Sequence, residues 1–245
     1  MAKANRVGWI KAALLFAAFF FVVFRFATLE SLFPSILVRR GIMVERVPLW
    51  MTAWQHVYLV VISSAMSVAV AVALGVITFF PFAREFRDLF IELSNLGETF
   101  PSVAIIALTV PMLGYGFWPV LLALFIYGIL PVLRNTITGI ENVDPSVLDS
   151  ARGMGMGQVE TILRVALPLA LPVIVAGIRT SVIINIGAAT IGATVGAGGF
   201  GIPIISGIRS NDMALVLRGS IPVALLAVSA DSLFALAEDA VSRGS

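Results

Sequence analysis

From Val57 to Phe80 the chain carries no charged side chain. As a helix this run is about 36 Å long, more than the ~30 Å hydrocarbon layer of a bilayer. A segment in lipid must satisfy its own backbone hydrogen bonds, so the run has to be a helix. The rest of the chain agrees. It is 59% hydrophobic and 12% charged, with mean hydropathy +1.03. Soluble domains carry about twice that charge. The chain is too apolar to be a soluble enzyme with one anchor. An all-α, polytopic membrane bundle is the expected fold class.

Further apolar runs predict about six spans. The first is read as an uncleaved span over Trp9–Leu29, with Lys11 and Arg25 reaching to the interfaces. A signal peptide is the competing reading, but no small-x-small cleavage site follows. Leu29–Ala53 is mixed and reads as extracytoplasmic, with Trp50 and Trp54 suited to a membrane boundary. Val57–Phe80 is the second span. Its small-residue row Ser63, Ser67, Ala71 and Gly75 predicts close helix packing. The third, Leu89–Leu113, holds Pro101 and Pro111, which imply a kinked or broken helix. Phe117–Leu133, Val165–Ile191 and Leu215–Leu236 are the fourth to sixth. Residues 1–53 thus form an N-terminal span and outer segment, and residues 54–245 a core with a cytoplasmic loop at 141–165.

Six spans with the N-terminus inside put Lys3, Arg6, Lys11, Arg84, Arg87, Arg134, Arg152, Arg164 and Arg243 in the cytoplasm. Arg39, Arg40, Arg46 and Arg209 lie outside. That excess is the one the positive-inside rule requires. The same placement explains the net charge of +2 without nucleic-acid binding.

Several chemistries are excluded by inventory. There is no cysteine and only one histidine, His56, so disulfides, thiolate sites and multi-histidine metal sites are absent. His56, beside Trp54 and Tyr58, reads as an interfacial side chain and not a catalytic one. Gly196-Ala197-Gly198-Gly199-Phe200-Gly201 matches GxGxxG formally, but a membrane segment precedes it and Ile-Pro follows, so it is no dinucleotide site. Beyond Gly187 the small, glycine-rich run predicts a broken helix lining an enclosed path, a gate or a close helix contact. No GxxxxGK[ST] occurs, so the chain has no P-loop of its own. Arg179, Asp231 and Glu98 are charges inside spans. Mutual pairing is favoured over a solute or gating role. Tyr115, Phe117, Trp118 and Tyr127 read as an interface belt in preference to a cation–π surface.

The polar island of the chain is Asp149–Pro168, DSARGMGMGQVETILRVALP. Upstream, Asp144-Pro145 places a cap acceptor before a proline at the first helical position. Gly153, Gly155 and Gly157 permit a sharp change of direction, and Gln158–Leu167 resumes a helix. Asp149-Ser150-Ala151, three residues, Gly155, nine residues and Val165-Ala166-Leu167-Pro168 resemble the "EAA" loop of ABC-importer permeases. Asp149 stands for Glu, Ser150 for Ala and Val165 for Ile, with the distances intact. ETFPSVAIIALTVPMLGYG, the loop itself and IGATVGAGGFG are similar to the glycine betaine/carnitine/choline branch of that family.

The resemblance implies a type I ABC importer (MetI-like) permease fold. It implies a role as permease subunit of an ATP-driven importer of a small solute, a quaternary ammonium osmolyte such as glycine betaine, choline or carnitine. The alternative is an ATPase-independent channel or secondary transporter. The implied partners are an ATP-binding subunit, an extracytoplasmic solute-binding protein contacting loops near 114–117 and 202–212, and a second permease copy or paralogue. The chain itself is expected to be neither an enzyme nor a cofactor carrier, ATP being bound by the partner. The implied location is a bacterial or archaeal cell membrane, with the N-terminus cytoplasmic. The coupling residues carried over are Asp149, Ser150, Ala151, Met154, Gly155, Met156 and Pro168. Glu98, Pro101, Arg179, Asn185, Gly196, Gly198, Gly199 and Phe200 are the gate or translocation candidates.

Overall fold

The apolar runs are helical in the computed structural model, which describes residues 2–32 and 47–243. The elements are α1 (Ala2–Leu32), α2 (Leu49–Ile77), α3 (Phe86–Thr99), α4 (Ser102–Leu113), α5 (Phe117–Glu141), α6 (Pro145–Gly153), α7 (Gln158–Thr161), α8 (Leu167–Ala188), α9 (Gly201–Ser210) and α10 (Met213–Ser242). Five stretches among the described residues are long and apolar enough to span: Arg6–Phe26, Leu49–Ile77, Phe117–Glu141, Gln158–Val195 and Met213–Ser242. The expected outer segment holding Pro34, Arg39, Arg40, Glu45 and Arg46 lies outside the described residues.

Three differences from the expected boundaries have local causes. α1 continues to Leu32, but Arg25 leaves helical geometry (φ −125°, ψ 28°), so the chain kinks where the apolar run stops. α2 begins at Leu49, ahead of the uncharged run, because the extended Pro48 starts it. Trp50 and Trp54 are therefore helical, and the division drawn at residue 53 falls within one helix. The third expected span is two helices. Pro101 is extended (φ −67°, ψ 128°) and separates α3 from α4, which is apolar but only 12 residues long.

Contacts at the two ends show that this broken pair still crosses. At one end Arg87, near the start of α3, pairs with Glu141 of α5 at 3.1 Å and donates to the Thr78 carbonyl just after α2. At the other end the turn after α4 meets the end of the α8 segment, Gly116 N–H donating to the Val195 carbonyl at 2.7 Å. The α3–α4 pair thus carries the chain from the first end to the second. α1 runs antiparallel to α10: Gly8 lies against Leu236, and the Arg218 guanidinium sits over Phe26. The described residues thus make six passes between the two ends of the bundle. Its first described helix begins at the end that holds Glu141, α6 and the end of α10.

α2, α5 and α8 form the centre. The row Ser63, Ser67 and Ala71 is fully buried on α2. A Cβ on Gly75 would come within 2.6 Å of the Thr136 side chain, and one on Gly128 within 2.6 Å of Ser67 Oγ. Backbones this close gain van der Waals contact, which drives helix association where lipid removes the hydrophobic difference. Hydroxyls fill the same seam: Ser67 donates to Phe125 O and Ser181 to Gly128 O, both at 2.8 Å.

Candidate functional site

α6 is a short helix closed at both ends. Asp144 Oδ1 accepts the Ser146 N–H at 2.8 Å, with Pro145 at the first helical position. That bond holds the exposed Asp144 carboxyl below the usual carboxylate range. At the C-terminus Gly155 N–H donates to Arg152 O at 2.9 Å and Met156 N–H to Ala151 O at 3.2 Å. This is the Schellman pair, and it needs a left-handed residue at Gly155, whose φ is +88°. No atom lies within 4 Å of a Cβ built there, so the requirement is one of backbone shape and not of space.

The coupling residues separate by environment. Ala151 is 2% exposed and anchors the helix, while Met154 is 74% exposed. Met156 is half-buried. Asp149 pairs with Arg152 at 3.2 Å, and Ser150 Oγ donates to Ser146 O at 2.7 Å, so both support the helix locally. α7 is tied to the end of α2 by Gln158 Nε2, which donates to Phe79 O at 3.0 Å. Between α7 and α8 the chain widens into a π-turn, Ile162–Ala166, with Leu167 N–H bonding back to Ile162 O. Pro168 supplies the cause. It has no N–H, and its ring opposes the carbonyl four residues back, so one extra residue in the turn relieves both problems. α6, α7 and the α2–α3 connection enclose an open groove of ≈ 550 Å³ lined by Arg84, Arg87, Glu141, Leu148 and Arg152.

At the opposite end α8 stops at Ala188 and tightens into a 3₁₀ segment, Ala189–Val195. Gly196, Gly198 and Gly199 follow with φ of +83°, +87° and +80°. Phe200 is fully buried, its ring edge-on to Phe19 and 5.1 Å from the His56 ring. Gly199 N–H donates to Gln55 Oε1 at 3.1 Å, and His56 Nε2 bonds Ile186 O at 3.0 Å. The interfacial reading of His56 is corrected: it is 1% exposed. It lies on the face of α2 that holds Ser63 and Ser67, a helical spacing visible in the sequence. Gln55 had no such signal.

The other candidates scatter. Arg179 Nε donates to Asp231 Oδ1 at 2.6 Å and Nη1 to Glu238 Oε2 at 3.4 Å, so α8 and α10 are joined by one cation and two carboxylates. Glu238 was not expected in this cluster. Asn185 is fully buried and donates to Ser64 Oγ at 3.2 Å. Pro101 is exposed at the α3–α4 break. Glu98 falls in the last turn of α3, with its side chain outside the described residues. Trp54, Tyr58, Phe117 and Trp118 form one contiguous row of rings at the Gly116 end.

The family model described as binding-protein-dependent transport system inner membrane component matches residues 67–243. The chain is 41% identical over 185 residues to the choline transport system permease protein OpuBB of Bacillus subtilis, covering 76% of this chain and 84% of that one. It is 38% identical over 186 residues to the carnitine transport permease protein OpuCD of Listeria monocytogenes, covering 76% and 82%. The osmoprotectant import permease protein OsmW of Salmonella typhimurium is 34% identical over 190 residues, covering 74% and 85%. Among solved structures, a chain of the inward-facing MetNI methionine ABC transporter superimposes with TM-score 0.65 at 19% identity, covering 80% of this chain and 94% of that one. A chain of an amino acid ABC transporter solved with histidines gives 0.63 at 17%, covering 89% and 97%. At those identities the likeness is one of fold. The capped helix before Pro168 and the six-pass bundle around it are thus features of a multi-pass chain that belongs to the inner membrane components of binding-protein-dependent transport systems.

Proposed function

We propose that this permease imports a quaternary ammonium osmolyte, of the glycine betaine, choline and carnitine class, by ATP-driven alternating access. The observation that carries the solute class is the set of relatives, whose names specify choline, carnitine or osmoprotectants over most of the chain. The coupling role rests on α6. It is a rigid, doubly closed helix at one end of the bundle, presenting Met154 to solvent. A flexible thioether suits an apolar cleft on another protein. An ATP-binding subunit would grip α6 from the cytoplasm. A solute-binding protein would deliver at the Gly116 end, and a second permease copy or paralogue would complete the path. With this orientation the N-terminus is cytoplasmic and ATP hydrolysis belongs to the partner.

Motion of α6 would reach the far end along a continuous route. Gln158 and Ile162–Ala166 join it to α8, and α8 ends at the glycine-rich turn. Proteoliposomes containing the permease, its ATP-binding subunit and its binding protein test the reading. Uptake of labelled choline, glycine betaine or carnitine should require ATP and the binding protein. Equal uptake without ATP would instead make the chain a channel or secondary transporter.

A further inference from the structure

We infer that Gln55 and His56 of α2 are positioning residues that hold the glycine-rich segment of the fifth pass in place, and that their release belongs to gate opening. The inference rests on reading residues 187–201 as the moving gate.

Two adjacent side chains grip the segment at two heights. Gln55 Oε1 accepts the Gly199 N–H at 3.1 Å, and a Cβ on Gly198 would overlap the same amide. The next residue, His56, bonds the Ile186 carbonyl in the last turn of α8. A carbonyl only accepts, so Nε2 carries the imidazole proton and Nδ1 presents a lone pair. That Nδ1 is buried, has no hydrogen-bond partner among the described residues, and lies 3.1 Å from where a Gly199 Cβ would be. Phe200 closes the contact by packing its ring on His56. The segment is also tied elsewhere: Val195 O accepts the Gly116 N–H, and Ala197 N–H closes on Gly192 O. Between these ties, Gly196 meets nothing within 4 Å of its Cβ position, and the three glycines at positive φ carry no side chain that would resist another backbone conformation. A small shift would let the Gly199 N–H exchange Gln55 Oε1 for His56 Nδ1. One donor between two acceptors on the same helix makes a two-position latch.

The test uses the whole transporter in proteoliposomes. Gln55→Leu removes the acceptor at nearly constant size, and Gln55→Glu keeps an oxygen in its place. Gln55→Leu should lower uptake about five- to tenfold and cut stimulation of ATP hydrolysis by the binding protein, with Gln55→Glu within about twofold of the parent. The chain has no native cysteine, so a Thr194→Cys reporter in the 3₁₀ segment can be followed alone. Its alkylation by a membrane-impermeant maleimide needs only membrane insertion. The rate should rise at least about threefold in Gln55→Leu and stay near parental in Gln55→Glu. Parental alkylation in Gln55→Leu overturns the latch, as does equal damage by Leu and Glu. Faster alkylation with parental uptake supports the hold and overturns the gate reading beneath it.

Discussion

The chain leaves regular helix twice around α8, and the two departures differ in what holds them beyond their local closures. At the α6 end every unusual backbone group is satisfied within a few residues. Asp144 caps Ser146, Gly155 and Met156 close on Arg152 and Ala151, and the π-turn answers Pro168. The Gly199 end has a local closure too, Gly196 N–H on Ala193 O and Ala197 N–H on Gly192 O, but beyond it the chain is held by α2, more than a hundred residues away in sequence. A locally closed element keeps its shape when its surroundings move, which suits a lever. An element shaped by a neighbour changes when that neighbour shifts, which suits a gate.

The largest effect is expected at the gate end. Phe200 fills the space between Phe19, Ala53 and His56 with no exposed surface. Phe200→Ala should destabilise the assembled transporter by about 3–5 kcal/mol, read as a fall in the unfolding midpoint in detergent. Little change in that midpoint would mean that the segment is not tied to α1 and α2 at all. Next comes the ion cluster that joins α8 to α10. Arg179→Gln leaves Asp231 and Glu238 facing each other without a cation, and should cost about 2 kcal/mol, between exposed and buried pairs. The charge swap Arg179→Asp with Asp231→Arg should recover only when Glu238→Gln is added, because the new aspartate otherwise meets Glu238. Full recovery by the swap alone would remove Glu238 from the cluster.

At the lever the decisive residue is Gly155. Gly155→Val forces a β-branched side chain into a φ near +88°, at a cost of about 1–3 kcal/mol. Membrane insertion should be retained, and uptake and its coupling to ATP hydrolysis should fall about tenfold or more, beyond any fall in midpoint. Gly155→Asn tolerates the left-handed region and should retain most uptake. If Val and Asn behave alike, backbone shape at α6 is not what the partner reads.

What the sequence made legible follows the same division. The spans, the cap at Asp144, the bend at Gly155 and the small-residue face of α2 depend on neighbours in sequence or on one helical period, and all were visible. The Arg179–Asp231 pairing was approachable because charges in apolar runs are few. Gln55 and Glu238 were not, since nothing local marks which distant group a polar side chain will meet. The burial of His56 is hidden in the sequence for a related reason: flanking Trp54 and Tyr58 are exposed, and the face that carries His56 is not. The break at Pro101 was visible in the proline itself, within a run that the sequence already makes one of six spans.

The smallest expected effect separates cap chemistry from cap geometry. The Asp144 carboxyl is held below its ordinary range by the Ser146 N–H. A carboxyl depressed in the folded state stabilises it above the unfolded value, and that contribution disappears as pH falls through the folded one. Protection of the amides across residues 146–151, measured against their intrinsic exchange rates, should therefore fall on acidification below the usual carboxylate range in the parent. In Asp144→Asn the cap oxygen persists without a titrating charge, so protection near neutrality should be close to parental and lose its acid dependence. Asp144→Ala should exchange faster at every pH, with only a modest loss of uptake, because Pro145 and the Schellman closure still define the helix. Acid dependence that survives in Asp144→Asn would show that the cap carboxyl is not its source.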